Sequence, residues 1–148
     1  KVEPLLAQMG RRLVKVGEAS EMANLFKIAG NFMIIAALET MGEAFALLRK
    51  GGVDAGQFHE VMSSSLFASR VHQGYGGAIL SGQFEPAGFE MKLGLKDSDL
   101  ARTAAKQLGM TMPIADLASG HFTQGIKDGM GEKDWAAIAD IIAANAGL

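Results

Sequence analysis

The 148-residue chain contains no cysteine. Disulfides and thiolate-bound metals are thereby excluded. Basic charge is not in excess either: 14 Lys and Arg face 16 Asp and Glu, for a formal net charge of −2. A nucleic-acid-binding domain normally carries a basic face, and this composition supplies none. There are only three histidines, His59, His72 and His121, and they lack the spacing of a ligand set. No metal is therefore expected. Long apolar runs are also missing. The longest is Phe32 to Leu38, far below the roughly 20 residues of a membrane span. The opening Lys-Val-Glu-Pro lacks the apolar stretch of a secretory signal. These absences make a cytoplasmic protein the expectation, with no membrane and no nucleic acid among its partners.

The chain is 49% hydrophobic and 20% charged, enough for one globular domain with a substantial core. Pro4 suits the first turn of a short helix over residues 3–9, which Gly10 stops. Arg11 to Val16 alternates enough to predict one short strand. A lone strand needs partners that the rest of the sequence does not provide. With no initiator Met at its head, this opening reads as the last helix–strand unit of an upstream domain, so residues 1–17 are assigned to that tail and 18–148 to a helical domain.

Beyond Gly17 the periodicity is helical throughout. Ser20 is the expected N-cap of a helix running to Lys50 without proline. Its centre, Phe32 to Leu38, is apolar on every side, which predicts a central helix buried all round. Gly51-Gly52 ends it. Asp54 caps a helix to about Ser63, and residues 68–81 form a weaker, glycine-broken one. Gln83 to Gly88 is a loop containing Pro86. Phe89 to Leu108 is helical, with Leu93, Leu100, Ala104 and Leu108 on one face. Pro113 opens the next helix, Gly129-Met130-Gly131 is a turn, and Asp134 caps the last helix. The expected fold is all-α: one long helix wrapped by five shorter ones.

Lys27 is an ammonium on a greasy helix, flanked by Phe26 and Ile28. Such a group must reach water, pair, or face a cavity. Asn31 lies four residues on and Asn24 one turn before, giving a narrow polar stripe. That stripe is either a solvent-touching seam or the wall of a polar cleft in which a lysine transfers protons. A second stripe, Lys92-Lys96-Asp99-Thr103, reads by itself as a solvated helix face. Glu39 and Glu43 are expected to pair buried polar groups rather than act as an acid/base couple. Gly74-Tyr75-Gly76-Gly77 follows no strand and is not a phosphate loop.

Four segments, in order, resemble the β-hydroxyacid dehydrogenase family, which includes 3-hydroxyisobutyrate dehydrogenase and glyoxylate/succinic semialdehyde reductase. They are Lys27-Ile28-Ala29-Gly30-Asn31; Glu43-Ala44-Phe45-Ala46-Leu47 with Gly52-Val53-Asp54; Phe89 with Leu95-Lys96-Asp97-Ser98-Asp99-Leu100-Ala101; and Gly109-Met110-Thr111-Met112-Pro113 with Gly129, Gly131 and Asp134. Many members carry Asn at both positions 30 and 31, where this chain has Gly30-Asn31.

The resemblance implies a helical domain like the C-terminal domain of 6-phosphogluconate dehydrogenase, following a Rossmann domain whose last helix and strand would be residues 1–17. It implies Lys27 as general acid/base, Asn31 as a substrate ligand, and Lys96 reaching the cofactor, with Phe89 and Asp97 in the same cleft. It also implies NAD or NADP held mainly by the preceding domain, a small hydroxy or keto acid substrate, and a homodimer or homotetramer. The 148-residue chain alone is then expected to be inactive. The alternatives are a non-catalytic helical dimerisation module and an imine-reductase-like enzyme; relatives of the latter kind usually lack the lysine.

Overall fold

The computed structural model describes residues 2–148; Lys1, the first residue of the expected upstream tail, lies outside them. The helices are α1 (Glu3–Leu6), α2 (Ser20–Lys50), α3 (Ala55–Ser64), α4 (Arg70–Ser81), α5 (Met91–Gln107), α6 (Pro113–Lys127) and α7 (Ile138–Asn145), with a 3-10 turn at Trp135–Ala137. No strand forms among the described residues. Residues 11–16, expected as a strand, are non-helical, unpaired and almost wholly exposed. The physical reason is the lack of a neighbouring edge to accept their backbone hydrogen bonds. The opening helix is likewise shorter than expected, ending at Leu6.

α2 is the axis of the fold. Its 31 residues span roughly 46 Å at 1.5 Å per residue. Length and composition alone would let it cross a membrane. Here its C-terminal half is the core, with Ile35 and Leu38 fully buried and Met41, Phe45 and Ala46 nearly so. The expectation of burial on every side of Phe32–Leu38 fails at Met33, which is 72% exposed, and nearer the N-terminus Phe26 is 66% exposed. The helices that pack on α2 cover only one side of its N-terminal half. Ala19, not Ser20, occupies the N-cap position. The helix stops where Gly52 takes φ +72°, a left-handed conformation that most residues avoid.

The later helices start where side-chain chemistry predicts. The Asp54 carboxylate accepts from the Gly56 and Gln57 amides and opens α3. Pro113 opens α6. Asp134 accepts from the Ala136 amide and opens the 3-10 turn that leads into α7. α5 begins at Met91 rather than Phe89.

The buried face of α5 is not its leucine stripe. Leu93, Leu100 and Leu108 are 37%, 40% and 65% exposed, whereas Met91, Gly94, Ser98, Ala101 and Ala105 are buried. Close approach of α6 decides this. A Cβ on Gly94 would lie 2.9 Å from the Phe122 ring, so only a glycine admits that ring. Polar ties reinforce the pair. Ser98 Oγ donates to the Ala115 carbonyl at 2.9 Å, and Arg102 binds both Asp99 and Asp116. Phe122, Ile138 and Trp135 complete the core between α2, α5, α6 and α7.

Candidate functional site

The polar stripe of α2 meets α5 at one carboxylate. Asp97 is 5% exposed. Its Oδ2 accepts from Lys27 Nζ at 2.6 Å and from Asn31 Nδ2 at 2.5 Å. The spacing of Lys27 and Asn31 puts both on one face of α2, so a single acceptor on α5 can serve both. The Lys27 side chain is 58% exposed. Its stem leans on the protein and its ammonium is tethered at the rim, with one side turned to solvent. Paired in this way, the buried carboxylate holds the cation in place. The arrangement therefore presents a positioned, water-accessible ammonium beside an amide, a pair able to hydrogen-bond an oxygen and exchange a proton with it.

The other expected site residues fall around this point without touching it. Asn24 is exposed and lines an open groove between α2 and α5 with Leu25, Ile28, Leu100 and Thr103, away from Asp97's bonds. Lys96 is next to Asp97 in sequence, but the helix turns it to the exposed side, where it lines a depression with Lys92, Asp99 and Thr103. It forms no ion pair among the described residues, whereas Lys92 is bound to Glu90 and Glu132. Phe89 is half-buried just ahead of α5, its ring 4.5 Å from that of Trp135. Asp134 fixes that approach: its Oδ2 accepts from the Gly88 and Phe89 amides at 2.9 and 3.1 Å. The Trp135 amide donates to the Phe89 carbonyl, and the Glu85–Pro86 bond in the same loop is cis. Lys27, Asn31 and Asp97 are thus brought into contact, while Lys96 lies on the exposed side of α5 and Phe89 packs on Trp135 ahead of that helix.

Two features escaped the sequence reading. Glu39, expected to pair with some buried group, meets His121 of α6, whose Nδ1 lies 3.0 and 3.1 Å from its two oxygens. Burial pushes the Glu39 pKa up, His121 opposes this, and Glu43 adds to it. A separation of 82 residues leaves no local signal for such a pair. The second is a polar depression at the start of α4 containing Arg70 and Tyr75. Of its residues only Gly74 and Tyr75 belong to the glycine-rich stretch that lacks a phosphate-loop pattern, and Arg70 carries no local signal.

Comparison with known proteins adds the family. Residues 22–142 match the family model described as "NAD-binding of NADP-dependent 3-hydroxyisobutyrate dehydrogenase". A Bacillus subtilis protein named "Uncharacterized oxidoreductase YfjR" is 44% identical over 140 residues, covering 95% of this chain and 49% of that protein. The 2-hydroxy-3-oxopropionate reductase of Escherichia coli is 24% identical over 142 residues, covering 96% of this chain and 48% of the reductase. Among solved structures, 3-hydroxyisobutyrate dehydrogenase from Salmonella typhimurium superposes with a TM-score of 0.85 at 20% identity, over 95% of this chain and 49% of that one. The chain spans about half the length of the relatives it matches. That coverage agrees with the all-helical architecture, and the four motifs lie within or beside the matched residues. The chain belongs to the 3-hydroxyisobutyrate dehydrogenase family of β-hydroxyacid dehydrogenases.

Proposed function

We propose that this chain is the helical substrate domain of an NAD- or NADP-dependent oxidoreductase that interconverts a small 3-hydroxy acid and its aldehyde or keto form. The observation that carries this reading is the Lys27–Asp97–Asn31 cluster, a solvent-reachable ammonium tethered by a buried carboxylate. Lys96 and Phe89 are the residues that would hold a nicotinamide cofactor. Lys96 is an exposed cation with no ion-pair partner among the described residues, and Phe89 offers a half-buried aromatic face. Such a cofactor, when bound, supplies the hydride chemistry.

The chain's own residues do the rest. Lys27 donates a proton to the carbonyl oxygen as negative charge develops there, and takes it back in the oxidative direction. Asn31 hydrogen-bonds the substrate and fixes its orientation. Asp97 positions Lys27. Lys96 meets the cofactor's negative charge. Against the imine-reductase alternative stands Lys27 itself, since that branch usually lacks the lysine. The exposed Phe26 and Met33 of α2 are read as packing surface for a second copy, giving a homodimer or homotetramer. The test is a spectrophotometric screen of the complete enzyme with both nicotinamides against 3-hydroxy acids and cyclic imines. Oxidation of a 3-hydroxy acid is the expected result; turnover of imines alone would remove the dehydrogenase reading.

A further inference from the structure

The depression at the start of α4 has about 350 Å³ and is lined by Arg70, Tyr75, Gln83 and Asp134, with Gly74 and Pro86 in its walls. Arg70 is exposed and forms no ion pair among the described residues. Next to it lies an unmet donor. Trp135 is 2% exposed, and its indole Nε1 has no hydrogen-bond partner. An indole N–H can only donate. The Tyr75 ring packs edge-on against Trp135, with the centroids 5.9 Å apart. The Tyr75 phenol lines the depression, where its O–H can donate to a ligand. Desolvation raises the Tyr75 pKa and the Asp134 charge adds to this, so the proton stays in place. The Asp134 oxygens are already taken by the Gly88, Phe89 and Ala136 amides, so they do not compete for these donors.

From these groups we infer that Arg70 and Tyr75 form a carboxylate-binding subsite. A planar guanidinium and a phenolic O–H together match the two oxygens of one carboxylate. A single cation next to the Asp134 charge suits a monoanionic group better than a phosphate dianion. Trp135 joins the subsite to the expected reaction cleft, since its ring contacts Tyr75 on one side and Phe89 at 4.5 Å on the other. The subsite thus reads a carboxylate of the acid substrate, an assignment that in this respect rests on the proposed dehydrogenase reading.

The chain holds one Trp and one Tyr, so intrinsic fluorescence reports this place directly. The 148-residue chain is titrated with succinate, acetate and inorganic phosphate while Trp135 emission is followed. The expected result is a saturable response to the carboxylates that weakens roughly tenfold or more in Arg70→Ala. Tyr75→Phe weakens it less, and Arg49→Ala, at the exposed end of α2, leaves it unchanged. No saturable response, a response to phosphate alone, or one indifferent to Arg70→Ala overturns the subsite. Loss of turnover in Lys27→Ala bears on the dehydrogenase reading instead, so the two failures are distinguishable.

Discussion

Glu39 is a carboxylate almost cut off from water, held by one imidazole across the α2–α6 interface. Its pKa is raised above the ordinary 4.5, chiefly by desolvation. A raised acid pKa means that folding favours the protonated form. That contribution is complete below the unfolded value and is lost as pH rises through the folded one. Glu39→Gln keeps the shape without the charge. Its stability relative to the parent should therefore increase on going from about pH 4 to about pH 8, as measured by urea unfolding. A difference that stays flat across that range would contradict the assignment. His121 was an unplaced residue in the sequence, because a contact between two helices 82 positions apart has no local periodicity to announce it. The Lys27–Asn31 spacing, by contrast, was legible: four positions along a helix fix a shared face. Their common partner Asp97 came only from the family resemblance, since nothing local says which face of α5 meets α2.

At the level of helices, the turn chemistry was readable and the packing was not. Asp54, Pro113 and Asp134 start their elements as their side chains dictate. The leucine periodicity of α5 does not reveal its buried face, because close helix contact selects Gly94, Ser98, Ala101 and Ala105 instead. Gly94 should therefore tolerate little. In Gly94→Val the Phe122 ring or the helix itself must shift, at a cost of about 1–3 kcal/mol, read as a lower urea midpoint. Parent-like stability would show that α5 and α6 have room to separate. Asp134 is tied to three backbone amides that pin the loop before α5 to the turn before α7. Asp134→Ala leaves those donors without their acceptor and should cost roughly 1–3 kcal/mol. Hydrogen exchange at the Gly88 and Phe89 amides should speed up in the same variant, and unchanged protection would argue against the staple.

On the scale of the whole molecule, the expected strand over residues 11–16 shows how far a segment depends on its surroundings. Its alternation is genuine, but without a neighbouring edge it runs as exposed chain. The reaction cleft depends on its surroundings in the same way. Lys27 and Lys96 are exposed and Asn31 is half-buried, and Lys96 lines an open depression. Calorimetric titration of the 148-residue chain with NADH and NADPH should accordingly show no tight binding, and micromolar affinity for either would contradict this.

The central claim is that the ammonium tethered by Asp97 moves the proton. The direct measurement is kcat for Lys27→Ala in the complete enzyme, with circular dichroism confirming the fold. The account expects a fall of roughly 10²-fold or more. Turnover equal to that of the parent enzyme would contradict it.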